Sequence, residues 1–569
     1  MDDIGRIKQT RLGLCHSPVT VKVVVDMLSI IRNPHSPSRP GHRWRVSRVI
    51  VCVLICPLAF KGIAQEDSSQ HTASLPTGAI ASLKPPDAAA AGASVYLVRF
   101  SPSGRWLATR DSEQTVRVWD VASWSERFAL NGHADRVTSI TFSPDEKFIV
   151  TASSGDRERI HVWSMLNGTI VRKLPSTPTV MEFLDDGTLL SAADDGFLRY
   201  DMATGESQPV EGFTRSNRIA NVLAISPMTT TFANVVIAST CQGAARQIQV
   251  RDWKSGDVKL SLKTEVTPTM ACFSPDGGHL AVCLRRCNEV TLCDLSTASR
   301  SQYELYGHTA PVQFVTFSHD GRVLATASWD GTIRLWDVLT RNEIKRLEGH
   351  RDHVVALGFS PDGRQLASAA SGRADHTMLV WDAHQALFGI GTVTDPIDVA
   401  VSLQQLSTRD VREAYEILGR LLQQGDQTLA ALDVFIKPLT DSLSDDDFDE
   451  LIIQLNADSF QTRENAYNSL LRVRRLAEER LIMAMRKAPT LEMQLRLKKL
   501  LSTNVSAPLT TAAEYRRMYR IIQLLELFGN ERSRALISTL ATGYADARLS
   551  QAASRALQRL ASSTTVRAK

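Results

Sequence analysis

The sequence lacks the short motifs that announce catalysis. It contains no Gly-x-Ser-x-Gly elbow for a nucleophilic serine, no His-Glu-x-x-His pair and no phosphate-cradling glycine loop ending in Lys-Ser or Lys-Thr. Gly389-Ile-Gly391 stands apart from any strand-to-helix unit, so it does not read as a nucleotide site. Asp185-Asp186-Gly187 and Asp194-Asp195-Gly196 lack the ligand spacing of a calcium loop and fit hairpin turns instead. Nothing in the sequence calls for a cofactor or a metal. A run long enough to cross a bilayer is missing too: the uncharged stretch Val49 to Phe60 has 12 residues, short of the roughly 20 that a spanning helix needs.

That stretch has a different reading. Arg43, Arg45 and Arg48 precede it, and small residues at Gly62 and Ala64 follow it. Basic head, short apolar middle and small-residue end are the order of a secretory signal. We therefore expect residues 1–64 to form a leader cleaved after Ala64, with 65–76 as a linker, and the protein to be exported, periplasmic or secreted. The alternative is an uncleaved leader that tethers the chain to a membrane through residues 46–64. Met27 offers a second start within it. Removing residues 1–64 takes away ten basic and three acidic residues, so the formal charge passes from +4 to −3. The basic balance belongs to the leader, and nucleic acid is not expected as a partner.

Between Phe100 and Phe359 one phrase recurs seven times, an aliphatic run ending in Phe-Ser-Pro or a degraded copy. The anchors Phe100, Phe142, Phe183, Ile225, Phe273, Phe317 and Phe359 are separated by 42, 41, 42, 48, 44 and 42 residues. That period suits a blade of four short strands. Each anchor is followed by a β-branched alternation closing on an aromatic residue and an acid, as in Thr115-Val-Arg-Val-Trp119-Asp120 and Ile333-Arg-Leu-Trp336-Asp337. The fourth and fifth units keep only the acid, at Asp252 and Asp294, and Gly-His pairs stand at 132–133, 307–308 and 349–350.

Together these residues resemble the WD-repeat family over roughly residues 77–385. The resemblance implies an all-β seven-bladed propeller, here bounded at 77–388. It also implies that a His, a Thr or Ser, a turn Asp and the Trp of a blade form one hydrogen-bonded chain. This falls on His308, Thr326, Asp330 and Trp336, on His350, Ser368, Asp375 and Trp381, and more loosely on His133, Thr151, Asp156 and Trp163. Such a network satisfies buried polar groups and does no chemistry. Closing the ring requires a latch, and the strand-like Gly78 to Lys84 is expected to pair into the seventh blade, because Ala383 to Phe388 offers too little for an outer strand.

Past Gly389 the apolar spacing becomes helical. Residues 396–569 are expected to form an all-α helical-repeat or bundle domain of nine helices, at 408–423, 426–437, 445–456, 460–473, 476–488, 490–503, 511–529, 531–542 and 550–562. Asp445-Asp446-Asp447 marks a helix start, with acids favourably placed in the first turn. Arg463-Glu-Asn-Ala466 with Leu470 resembles a repeat helix of the HEAT kind, and the tail as a whole is similar to that of a group of bacterial exported WD-repeat proteins.

In the fifth unit Cys287 and Cys293 replace the turn acid and the Trp, and Cys283 lies beside the hydroxyl position. A turn near Asn288 would set Cys283 opposite Cys293, which suggests a disulfide in an oxidising compartment. Buried reduced thiols acting as apolar fillers are the competing reading. A zinc site would need a fourth ligand and paired spacing that the sequence does not supply.

The expected function is a non-enzymatic scaffold binding a protein partner outside the cytoplasm, through propeller loops and the helical tail. The resemblance implies that the residue just before the turn acid points to the rim face WD-repeat proteins commonly use, which nominates Arg286 and Trp329, joined by Arg373 in the longer turn of the seventh unit. An enzyme or small-ligand receptor using the central channel is the alternative.

Overall fold

The computed structural model describes residues 75–83 and, from 94 to 567, all but short segments at 113, 155–158, 175–179, 185, 194–195, 203, 211–221, 227–230, 241–242, 253–254, 256, 265, 296–300, 373–374, 390–396, 437–444, 474–477, 489, 503–510 and 544–546. The leader, Asp156, Arg373 and the Asp194-Asp195 pair lie outside the described residues.

The described strands form seven antiparallel sheets of four strands each. Their inner strands are Val95–Phe100, Val137–Phe142, Val180–Phe183, Val222–Ile225, Pro268–Phe273, Val312–Phe317 and Val354–Phe359. Each inner strand touches the next, and the seventh touches the first, so the sheets close a ring. Six sheets are built from four consecutive strands. The seventh takes its outer strand from the other end of the chain: Ala79–Leu83 pairs antiparallel with Met378–Asp382, Ala81 opposite Val380 and Leu83 opposite Met378. The strand expected to clasp the ring does so, and Met378–Asp382 is thereby paired on both sides.

The Phe-Ser-Pro phrase recurs because it builds the turn after each inner strand. In the sixth sheet Ser318 Oγ donates to Asp320 at 2.5 Å and accepts from the Val323 amide at 3.0 Å. In the fifth, Ser274 Oγ donates to Asp276 at 2.6 Å and accepts from the His279 amide at 2.8 Å. Between the sheets, alternate side chains pack into apolar layers, such as Cys283, Leu292, Val315 and Trp336 between the fifth and sixth.

Eleven helices follow among the described residues: α1 (Ala383–Phe388), α2 (Val399–Gln405), α3 (Val411–Gln423), α4 (Asp426–Phe435), α5 (Asp445–Gln454), α6 (Phe460–Val473), α7 (Glu478–Lys487), α8 (Leu491–Ser502), α9 (Ala512–Phe528), α10 (Glu531–Gly543) and α11 (Ala547–Arg567). The stretch too short for a strand is α1, started by Asp382 accepting from the Gln385 amide at 2.7 Å and ended by Gly389 at φ +59°. Helices α1–α4 and α9–α11 share one apolar core with the sixth and seventh sheets, in which Trp381, Phe388, Tyr415, Leu418 and Ile522 are all buried. Helices α5–α8 close a second core around Leu455, Leu470, Leu481 and Leu497. Gly419 lies in the middle of α3, where glycine costs about 1 kcal/mol relative to alanine. It is required there because a Cβ would come within 1.9 Å of the Phe388 carbonyl oxygen.

The strand order gives the ring two faces. Turns between first and second strands and between third and fourth strands open on one face, and the remaining connections open on the other. Polar contacts of the helices with the ring fall on the first: Arg555 with Asp276 at 2.5 Å, Glu526 with Arg322 at 2.5 Å and Tyr415 with Asp337 at 3.3 Å. The second face carries the turns at Arg286 and Trp329.

Candidate functional site: the loop face and its buried supports

The polar chains inside the sheets hold the loop turns in place. In the sixth sheet His308 bridges Asp330 (Nδ1 to Oδ2, 2.8 Å) and Thr326 (Nε2 to Oγ1, 2.7 Å), and the Trp336 indole donates to the same Thr326 oxygen at 2.9 Å. Asp330 also accepts from the Thr309 amide at 3.0 Å and the Thr332 hydroxyl at 2.6 Å, so it ties two loops of this face together. Gly331 completes the turn at φ +78°, a conformation that glycine adopts without strain. In the seventh sheet His350 joins Asp375 at 3.0 Å and Ser368 at 2.7 Å, and Trp381 donates to Ser368 at 2.8 Å. In the second, His133 and Trp163 meet Thr151 at 2.7 and 2.8 Å. In the sixth and seventh sheets these groups satisfy one another inside the sheet.

One such pair escaped the sequence reading. Trp119 donates to Thr109 at 2.9 Å in the first sheet, where no Gly-His dipeptide drew attention. The ten-residue offset shared with Thr326 and Trp336 was the available signal. In the second sheet His161 stacks on His133 with ring centroids 3.9 Å apart.

Burial alone would raise the carboxyls of Asp330 and Asp375. Hydrogen bonds from His308, Thr332 and the Thr309 amide to the first, and from His350, Thr377 and the Arg351 amide to the second, outweigh it and hold both well below the usual carboxylate range. A depressed folded-state pKa contributes stability that is complete above the ordinary value and is lost as the pH falls through the folded one. Denaturant stability should therefore be flat above about pH 5 and fall below about pH 4. Asp330→Asn should flatten that acid limb; an unchanged limb would remove Asp330 from the account.

The fifth sheet overturns the expected disulfide. Cys283 and Cys293 are both free and buried. The hairpin turns about Arg286 and Cys287, so Cys283 lies opposite Val290 and Cys293 opposite Leu280. The one-and-a-half-residue displacement of the turn from Asn288 puts the two sulfurs on opposite faces of the sheet. Cys283 packs against the sixth sheet and Cys293 against the fourth. Burial pushes the Cys293 thiol up to about 12 and the Cys283 thiol higher still. Val282 and Cys293 occupy the places of Thr326 and Trp336, so an apolar contact replaces the polar chain. Among the described residues no group of three or more His, Cys, Asp or Glu side chains gathers in a metal-binding arrangement.

On the loop face, Trp329 is 39% exposed and its ring stacks on His353 from the next sheet, with centroids 4.9 Å apart. Its amide donates to the Pro311 carbonyl at 3.0 Å, and the neighbouring Val312 amide donates to the Cys287 carbonyl at 2.9 Å. The turns of Arg286 and Trp329 thus fasten to one strand entry and form one patch. Arg286 is exposed and sits at φ +62°. Tyr306, which is 72% exposed, borders the same face. Tyr306 and His353 were not singled out by sequence, since only the fold places their loops beside Trp329.

Arg99 and Glu182, from the inner strands of the first and third sheets, form an ion pair at 2.5 Å.

The family described as WD domain, G-beta repeat matches residues 89–120, 124–164, 299–337 and 341–382. The chain carries WD40 repeats, folded as a β-propeller. The matched segments are the units that keep their Trp; the third to fifth have lost it. Over 293 residues the chain is 26% identical to periodic tryptophan protein 2 of Arabidopsis thaliana, covering 50% of this chain and 26% of that protein. It is 24% identical over 307 residues to the WD repeat-containing protein WDS homolog of the same plant, covering 50% and 55%. With human transducin beta-like protein 2 it shares 26% identity over 306 residues, covering 50% and 59%. The chain thus spans from about a quarter to about three fifths of these relatives. All three are eukaryotic, and WD40 propellers generally bind protein partners. Among the described residues no helix is long and apolar enough to cross a membrane; the stretch 46–64 lies outside them.

Proposed function

We propose that this WD40 propeller is a non-catalytic platform that captures a protein partner on its loop face, with Trp329 as anchor and Arg286, His353 and Tyr306 around it. The observation that carries the reading is a large aromatic ring left part-exposed on the face opposite the one that carries the helices' polar contacts. Trp and Arg are enriched among binding hot spots, Trp for the large rigid area it buries and Arg for its fork of donors. The polar chain from Asp330 to Trp336 makes the turn rigid, so little ordering is lost on binding. Affinity purification of the full chain from its own cells, compared with Trp329→Ala, tests this. A specific partner lost at least tenfold from the variant, with the thermal midpoint unchanged, is expected; identical capture by both would discard the patch.

The further part of the proposal is export. The order of basic, apolar and small residues in 1–64 supports a cleaved leader. Fractionation followed by N-terminal sequencing of the mature protein should read from Gln65. A mature chain that retains residues 46–64 in the membrane fraction would select the tether, and an intact cytoplasmic chain would end the export reading.

A further inference from the structure

On the opposite side of the ring, the turn between the third and fourth strands of the sixth sheet meets the first turns of α9 and α11 and the entry to α3. Between them lies an open cavity of about 400 Å3. Four of its nine lining residues are arginines, Arg341, Arg409, Arg516 and Arg548, and none is a carboxylate.

Several described carboxylates near them in sequence have partners of their own. Asp410 caps α3, accepting from the Arg412 amide at 2.9 Å, and Glu413 accepts from the Thr408 hydroxyl at 2.8 Å. Glu514 faces Arg517 at 3.8 Å. Several of the guanidinium groups are held in place by their surroundings. Arg341 lies over the Tyr303 ring at 3.2 Å from its centroid, on a backbone at φ +64°. Arg548 lies over Tyr515 at 4.2 Å, and Arg516 Nε donates to the Ser407 carbonyl at 3.1 Å. Stacked, oriented guanidinium groups are pre-arranged forks for oxyanions and lose little freedom on binding one. Arg341, Arg409 and Arg516, brought from separate segments to one cavity, also concentrate a positive field there.

We propose that this cavity binds a small multivalent oxyanion, borne by a phosphorylated or polycarboxylate molecule. Such a ligand touches the ring through Arg341 and the helical layer through Arg409, Arg516 and Arg548, so it staples the two together. The site is independent of the Trp329 face, and either proposal can fail without the other.

Inorganic pyrophosphate and citrate, titrated separately into the full chain by calorimetry at constant ionic strength, test it. Saturable one-to-one binding and a rise of the thermal midpoint are expected with at least one probe. Preference for pyrophosphate identifies phosphate as the ligand group, and preference for citrate identifies carboxylate. Arg409→Glu, at an exposed position, should weaken binding at least tenfold without lowering the unliganded midpoint, and Arg516→Gln should weaken it similarly. No heat with either probe at millimolar concentration, or binding unaltered in both variants, overturns the proposal.

Discussion

Thr326→Val should destabilise the protein by about 2–4 kcal/mol while leaving its volume almost unchanged. Thr326 is fully buried and its one oxygen serves both the His308 imidazole, at 2.7 Å, and the Trp336 indole, at 2.9 Å. Valine fills the same space and offers neither partner anything. Each polar group left buried and unsatisfied costs about 1–3 kcal/mol, whereas a hydrogen bond made and kept contributes only about 1 kcal/mol net. The loss should therefore exceed that of an ordinary Thr→Val change at the surface. Chemical denaturation at neutral pH measures it. A loss below about 1 kcal/mol would show that the polar chain does not stiffen the sheet. The fifth sheet makes the comparison informative, because Val282 and Cys293 already fill those two places with apolar atoms. Replacing the whole chain at once is tolerable; removing its central oxygen alone is not.

Glu526→Gln should cost about 3 kcal/mol or more, for a related reason at another place. Arg322 is 2% exposed and is held by Glu526 at 2.5 Å and by Asp320 at 3.3 Å. Arg559 brackets the same Glu526 from α11, at 2.6 and 2.9 Å. Burial alone would lower the Arg322 pKa, and the two carboxylates more than reverse it. Breaking a buried ion pair by neutralising one partner costs about 3–5 kcal/mol, since the other charge stays buried. Glutamine keeps one acceptor oxygen and the shape of the side chain, which places the effect at the lower end. The layer formed by α1–α4 and α9–α11 shares its core with the sixth and seventh sheets. Unfolding of the variant should therefore remain a single transition at lower denaturant for that unit. If the ring kept its full stability and only α9 gained amide exchange, the ion cluster would be a local clasp.

Much of this was legible in the chain because a blade is a local object. The period, the Ser-Asp turn and the His, Thr, Asp and Trp offsets lie within some forty residues of one another, so side-chain identity and spacing report directly on hydrogen bonds inside one sheet. The latch of Ala79–Leu83 was legible for a negative reason: the last unit had no room for its own outer strand. The nine expected helices all have counterparts, and the missed ones, α1 and α2, are short helices whose start depends on a single aspartate cap.

What the sequence by itself determined is the repeated unit, its polar supports and the change to helical spacing after it, because these follow from short-range alternation and turn chemistry. Only the tertiary structure decided that Cys283 and Cys293 lie on opposite faces of the fifth sheet, since a one-residue shift of register moves a side chain to the other face. It also decided which ring face the helices cover, and that four arginines from distant segments surround one cavity. Those are relations between parts far apart in the chain, and no local pattern encodes the distance between them.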